Sequence, residues 1–116
     1  MKPTIYGIKN CDTMKKAIKW LDENNIDYNF HDYKKQGISA QLAATWIEQI
    51  DLDVLINKRG TTWRKLDQAS KDNLSKATAV KLIQEHNSMV KRPLLHTSHG
   101  YSLGFTPDLY SEIFDQ

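Results

Sequence analysis

A lone cysteine at a strand-to-helix junction constrains this chain more than any other feature. Residues Thr4-Ile5-Tyr6-Gly7-Ile8-Lys9-Asn10-Cys11-Asp12-Thr13-Met14-Lys15-Lys16 read as a short strand, a tight turn and the start of a helix. Cys11 is the single cysteine and falls where the turn meets the helix. The first turn of a helix presents N–H groups without intrahelical partners and the positive end of the macrodipole. A thiolate placed there is stabilised, and its pKa falls from about 8.5 into the range of roughly 3.5–7.5. A free cysteine is ordinarily a small buried hydrophobe. Here its neighbours are Asn10 and Asp12, with Lys9, Lys15 and Lys16 close by, which predicts partial exposure in a positive field. Asp12 acts the other way, because a like charge beside a thiolate raises its pKa.

One cysteine excludes an intrachain disulfide framework. It also excludes a Cys-x-x-Cys redox pair, because Met14 occupies the fourth position. The histidines, His31, His86, His96 and His99, show no paired spacing with Cys11, so no metal is expected. A length of 116 residues predicts one domain over 1–116 with a single core. A net charge of +2 is too small to point to nucleic acid. No apolar run reaches membrane-spanning length, and the N-terminus lacks a segment of signal-peptide type. The expectation is a cytoplasmic monomer with no membrane or nucleic-acid partner.

Residues 3–7 read as a first strand, with Ile5 on one face and Thr4 and Tyr6 on the other. A helix follows at about 11–24, with Asn10, Asp12 and Thr13 as competing caps and Met14, Ala17, Ile18 and Leu21 as its buried stripe. Tyr28-Asn29-Phe30-His31-Asp32-Tyr33 alternates aromatic with polar and reads as a second strand, parallel to the first across the helix. Ser39 caps a helix of about 39–50, whose inner face is Leu42, Ala43, Trp46, Ile47 and Ile50. Val54-Leu55-Ile56 is a short apolar run, Asp67 to Lys76 a weak helical segment, and Thr78 the cap of a helix of about 78–87. Leu94 to His96 and Tyr101 to Phe105 form a hairpin about Ser98-His99-Gly100. Thr106 and Pro107 open a last helix of about 107–114. The order predicts an α/β, thioredoxin-like fold with a four-stranded mixed sheet and a helical insertion at about 38–88.

Two basic stretches accompany the cysteine. Asn57-Lys58-Arg59-Gly60-Thr61-Thr62-Trp63-Arg64-Lys65-Leu66 gathers four cations, a glycine and two hydroxyls ahead of a short helix. Arginine offers a planar fork to oxyanions and carboxylates, although a charge run is usually a solvated surface. Lys91-Arg92-Pro93-Leu94-Leu95 enters the third strand. Proline holds its predecessor extended, and by analogy with the fold Pro93 is expected to be cis and to lie beside Cys11.

These three ordered motifs resemble the arsenate reductase (ArsC)-like family, which also includes the Spx-type regulators, and most closely its YffB-like subgroup of glutathione-dependent thiol reductases. The resemblance covers essentially the whole chain. It implies an enzyme in which Cys11 is the nucleophile and Arg59 and Arg92 hold its thiolate and an oxyanion. It implies substrate contacts from Asn10, Asp12, Thr13, Arg64 and Pro93. The family's third arginine falls near Phe105, which weakens the case for arsenate. A monothiol must be resolved by a second thiol, so no bound cofactor is expected. Glutathione is the expected co-substrate, an oxidised thiol or an oxyanion the substrate, and glutaredoxin a candidate partner. The competing reading is a regulatory module that docks on a protein such as RNA polymerase through the helical region around Arg59 and Gly60.

Overall fold

The computed structural model describes residues 1–115; Gln116, the last residue of the expected domain, lies outside the described residues. Its elements run in the order β1 (Thr4–Gly7), α1 (Asp12–Glu23), β2 (Asn29–Asp32), α2 (Tyr33–Gln36), α3 (Ala40–Gln49), α4 (Leu52–Leu55), α5 (Thr61–Arg64), α6 (Gln68–Asp72), α7 (Lys76–Glu85), β3 (Leu94–Thr97), β4 (Gly100–Leu103) and α8 (Pro107–Phe114). A 3-10 turn at Asn87–Met89 follows α7. The chain divides into two compact units. One is Met1–Tyr33 with the segment from Arg92 onward, and the other is Lys34–Lys91.

The first unit carries the four-stranded sheet, in the order β2-β1-β3-β4. β1 pairs with β2 in parallel and with β3 antiparallel, and β3 pairs antiparallel with β4. This is the mixed, thioredoxin-like sheet that the β-α-β unit and the later hairpin predict. Ile5 stands opposite both Phe30 and Leu95, so the three share one face of the sheet. On that face Ile5 and Leu95 pack with Met14, Ala17 and Leu21 of α1 and with Tyr110 of α8, all fully buried. Spacings of three and four along α1 put its three core residues on one stripe. Burying a side chain of this size contributes roughly 1.5–3 kcal/mol, which makes this stripe the main reason that α1 is a helix. Asn25, with φ 57°, turns the chain out of α1 through the left-handed region that asparagine tolerates.

The second strand is shorter than its alternation suggests. β1 offers partners only from Thr4 to Gly7, and these pair with Asn29 to Asp32. Beyond Asp32 the backbone has no strand to bond, and Tyr33 instead opens the single turn of α2.

In the second unit Ser39 caps α3 as expected, accepting from the Leu42 N–H at 3.1 Å. α7 begins earlier than expected, because Ser75 rather than Thr78 is its cap. The Thr78 hydroxyl returns to the Ser75 N–H at 2.9 Å and closes a capping box. α3 and α7 face each other through buried Ala43, Trp46 and Ile47 and buried Ala79 and Ile83. The Val54-Leu55-Ile56 run splits: Leu55 and Ile56 are buried, and Val54 is exposed on the one-turn α4. Ile56 bridges to Val90, while Asn57 donates to the Met89 carbonyl and Lys91 to the Leu55 carbonyl, both at 2.8 Å.

Candidate functional site

Cys11 is itself the cap residue of α1. Its backbone is extended (φ −118°, ψ 130°), and its carbonyl accepts the Lys15 N–H at 3.0 Å. Asn10, Asp12 and Thr13, the expected caps, flank that position: Asn10 and Asp12 are exposed and Thr13 is half-buried. A thiol caps poorly, and Cys11 makes no regular capping hydrogen bond. The Met14 and Thr13 N–H groups therefore act on its sulfur as oriented dipoles of the first turn. Partial burial pushes the thiol pKa up. The Met14 N–H, a hydrogen bond from Arg92, the Thr13 N–H and the charge of Arg92 together outweigh it, and the pKa is lowered.

Arg92 is half-buried at the entrance to β3 and donates to two groups, the Cys11 sulfur and the Tyr33 hydroxyl. Burial opposes its charge, yet Tyr33 and Cys11 more than compensate and hold the guanidinium protonated. Tyr33 is fully buried. Its burial pushes the phenol up to about 12, against the pull of Arg92 and with added repulsion from Cys11 and Asp32. The Arg92–Pro93 peptide is cis, as expected. The buried Pro93 accepts the Gly104 N–H at 2.9 Å, which ties the start of β3 to the turn after β4.

Met14 takes the place of a second cysteine and is a core side chain with no exposed surface. It lies so close to Gly7 that a Cβ there would overlap its Sδ. Phe105, at the position where the resemblance puts a third arginine, is half-buried and stands edge-on to Tyr110 with ring centroids 4.7 Å apart. It packs against the same apolar cluster as Cys11.

Arg59 and Arg64 lie in the other unit. Both are exposed, and neither guanidinium makes a hydrogen bond or ion pair among the described residues. The turn that carries Arg59 is closed by Asn57, whose side chain accepts the Arg59 N–H at 3.2 Å and whose carbonyl accepts the Gly60 N–H at 3.1 Å. Lys58 is engaged elsewhere, with Asp53 at 2.7 Å and over the ring of Trp63 at 5.5 Å.

Of the expected site residues, the structure brings Cys11, Thr13 and Arg92 together. It adds Tyr33, which the aromatic–polar alternation assigned to a strand. The one sequence sign of its role is a large aromatic with a polar tip at the end of that run, where burial obliges the hydroxyl to find a partner. Among the described residues no cluster of three histidine, cysteine or carboxylate side chains can hold a metal, and no helix is long and apolar enough to cross a membrane.

The model of the ArsC family matches residues 6–113. A solved YffB protein is 44% identical, with 95% of this chain and 96% of that one covered and a TM-score of 0.89. An arsenate reductase-related protein from Brucella melitensis is 45% identical, with 100% and 97% covered and a TM-score of 0.78. The global transcriptional regulator Spx 1 of Oceanobacillus iheyensis is 24% identical over 107 residues, 90% of this chain and 81% of its own.

Proposed function

The chain belongs to the ArsC family, whose arsenate reductase-like architecture it shares, and on that premise we propose that it is a monothiol oxidoreductase working with glutathione. The Cys11 thiolate attacks the glutathione sulfur of a glutathionylated substrate, R–S–S–G. The Cys11–S–S–G bond forms, the old S–S bond breaks, and R–S⁻ leaves with the electron pair. A second glutathione thiolate then attacks the glutathione sulfur on Cys11. Oxidised glutathione departs and the Cys11 thiolate is restored, so overall R–S–S–G and one glutathione thiol become R–SH and oxidised glutathione, with one glutathione sulfur oxidised for each substrate sulfur reduced.

The observation that carries this reading is the thiol at the first turn of α1 with the Arg92 guanidinium on its sulfur. A lowered pKa raises the thiolate fraction at neutral pH and makes Cys11 a good leaving group in the second step. With Met14 buried in the core, the resolving thiol has to come from another molecule. Phe105 argues against an oxyanion as the main substrate, because an apolar ring cannot neutralise one. Arg59 and Arg64 are the chain's candidates for holding carboxylates. That role is separate from the thiol chemistry and reads out as KM.

The test is the rate of Cys11 alkylation against pH, in the folded protein and in denaturant, followed by mass analysis after exposure to oxidised glutathione. The expected results are a midpoint below about 8.5 only when folded and a single glutathione adduct that Cys11→Ser abolishes. A midpoint near the ordinary thiol value in both states would overturn the reading. It would favour the partner-binding alternative, which the similarity to an Spx regulator and the exposed Arg59 turn support.

A further inference from the structure

Three groups meet at the thiol, and one of them has no place in the thiol chemistry above. Tyr33 lies at the seam where β2 ends and α2 begins, next to the buried Asp32. It is among the largest wholly buried side chains of the protein, and its ring is fixed by that packing. Its oxygen accepts from the same guanidinium that donates to the Cys11 sulfur. We infer that Tyr33 is a positioning residue for the Cys11 thiolate, acting through Arg92.

The physical case rests on the shape of arginine. Its donors are set in one rigid plane, so fixing one edge fixes where the other edge points. An arginine on a long, freely turning stem would spend much of its time hydrogen-bonded to water. Tied to Tyr33, it keeps a donor on the sulfur whether or not a substrate is present, which is the preorganisation that electrostatic stabilisation requires. The phenol suits the task because it stays neutral. Burial keeps Tyr33 protonated throughout the working range, so it adds no second anion to compete with the thiolate for Arg92. A carboxylate in its place would hold the guanidinium more tightly but would cancel its charge, and so raise the thiol pKa.

The inference rests on the proposed thiol chemistry of Cys11, and the experiment separates the two. Alkylation of Cys11 is followed against pH in the wild type, Tyr33→Phe, Arg92→Met and the double variant. Tyr33→Phe keeps the ring and its packing and removes only the hydroxyl. The expected result is a roughly threefold to tenfold slower reaction at pH 7, with the midpoint moved toward that of an ordinary thiol. In the Arg92→Met background the same change should have no further effect, because the two residues act as one unit. A purely structural tyrosine would lower thermal stability and leave the pH profile in place. Two results would overturn the inference while leaving the proposed chemistry intact: a Tyr33→Phe profile that superposes on a lowered wild-type profile, or an equal shift with and without Arg92. An ordinary midpoint in the wild type would overturn both. If Tyr33→Phe fails to fold, fluorotyrosine placed at position 33 retains the shape with a weaker acceptor oxygen and should move the midpoint in the same direction.

Discussion

Arg92 and Arg59 stand in stretches of similar sequence, each with a lysine just before it and a turn-forming residue just after it. Their surroundings differ in kind. Arg92 is half-buried and shared between a sulfur and a buried phenol, whereas the Arg59 guanidinium is exposed and makes no hydrogen bond or ion pair among the described residues. The same unit charge therefore acts through different media. Two charges 4 Å apart interact by about 1 kcal/mol in bulk water and by about 4 kcal/mol at the effective dielectric of a protein surface. Charge density along a sequence marks where cations are. Burial and a fixed partner decide which of them can hold an anion ready for chemistry.

The sharpest way to break this comparison is to remove each charge in turn. Arg92→Met should slow Cys11 alkylation at pH 7 by roughly tenfold or more, since a charge-assisted hydrogen bond and its Coulombic support are lost together. Arg59→Met should change that rate by less than about twofold and leave the pH profile unmoved, as expected of an exposed, screened charge. Its effect, if glutathione carboxylates are its target, appears in KM. Equal losses in the two variants would mean that exposure is no guide to function in this chain.

The contrast also explains what could be read before the structure was known. The sheet and α1 were legible from their periodic apolar faces, as with Met14, Ala17 and Leu21 in α1, and α3 and α8 also from their strong caps, Ser39 ahead of α3 and Thr106 with Pro107 at α8. The cis Arg92–Pro93 peptide followed from the fold analogy. The start of α7 was misplaced because Ser75 and Thr78 are both good caps, and only their reciprocal bonding shows which one leads. Within the site, Cys11 and Arg92 were visible from residue type and local context. Tyr33 was not. Its role depends on the strand ending one residue earlier, and that end is set by the length of β1 rather than by anything near Tyr33.

A smaller effect tests the same site through stability rather than rate. Because the Cys11 pKa is lower in the folded than in the unfolded state, its thiolate stabilises the fold. That contribution is fully present above the unfolded thiol value of about 8.5 and disappears as pH falls through the lowered folded value. The stability difference between wild type and Cys11→Ser, from urea melts over a pH series, should therefore grow as pH rises through this window and then level off. Tyr33 has the opposite sign. Its neutral form is favoured in the fold, and that contribution is lost only as pH climbs from about 10 toward about 12, outside the window. A difference that stays flat with pH would show that the fold does not distinguish thiolate from thiol.

The smallest expected effect lies on the other side of the comparison. Lys58 has the best-defined contacts in the basic turn, with Asp53 at 2.7 Å and the Trp63 ring at 5.5 Å. The side chains of Lys58 and Asp53 are nonetheless 45% and 74% exposed. A pair so open to water contributes about 0–1 kcal/mol and fades with salt, and an exposed cation–π contact adds about 0.5–1 kcal/mol. Lys58→Met should thus cost about 1 kcal/mol at low ionic strength and less at high, as read from denaturant midpoints, with the Cys11 profile unchanged. A loss of more than about 2 kcal/mol that persisted in high salt would be outside what a solvated pair can supply. It would mean that the turn around Arg59 is held as firmly as the half-buried Arg92, and the exposure of Arg59 would then have to be read as a docking feature rather than as the ordinary fate of a charged loop.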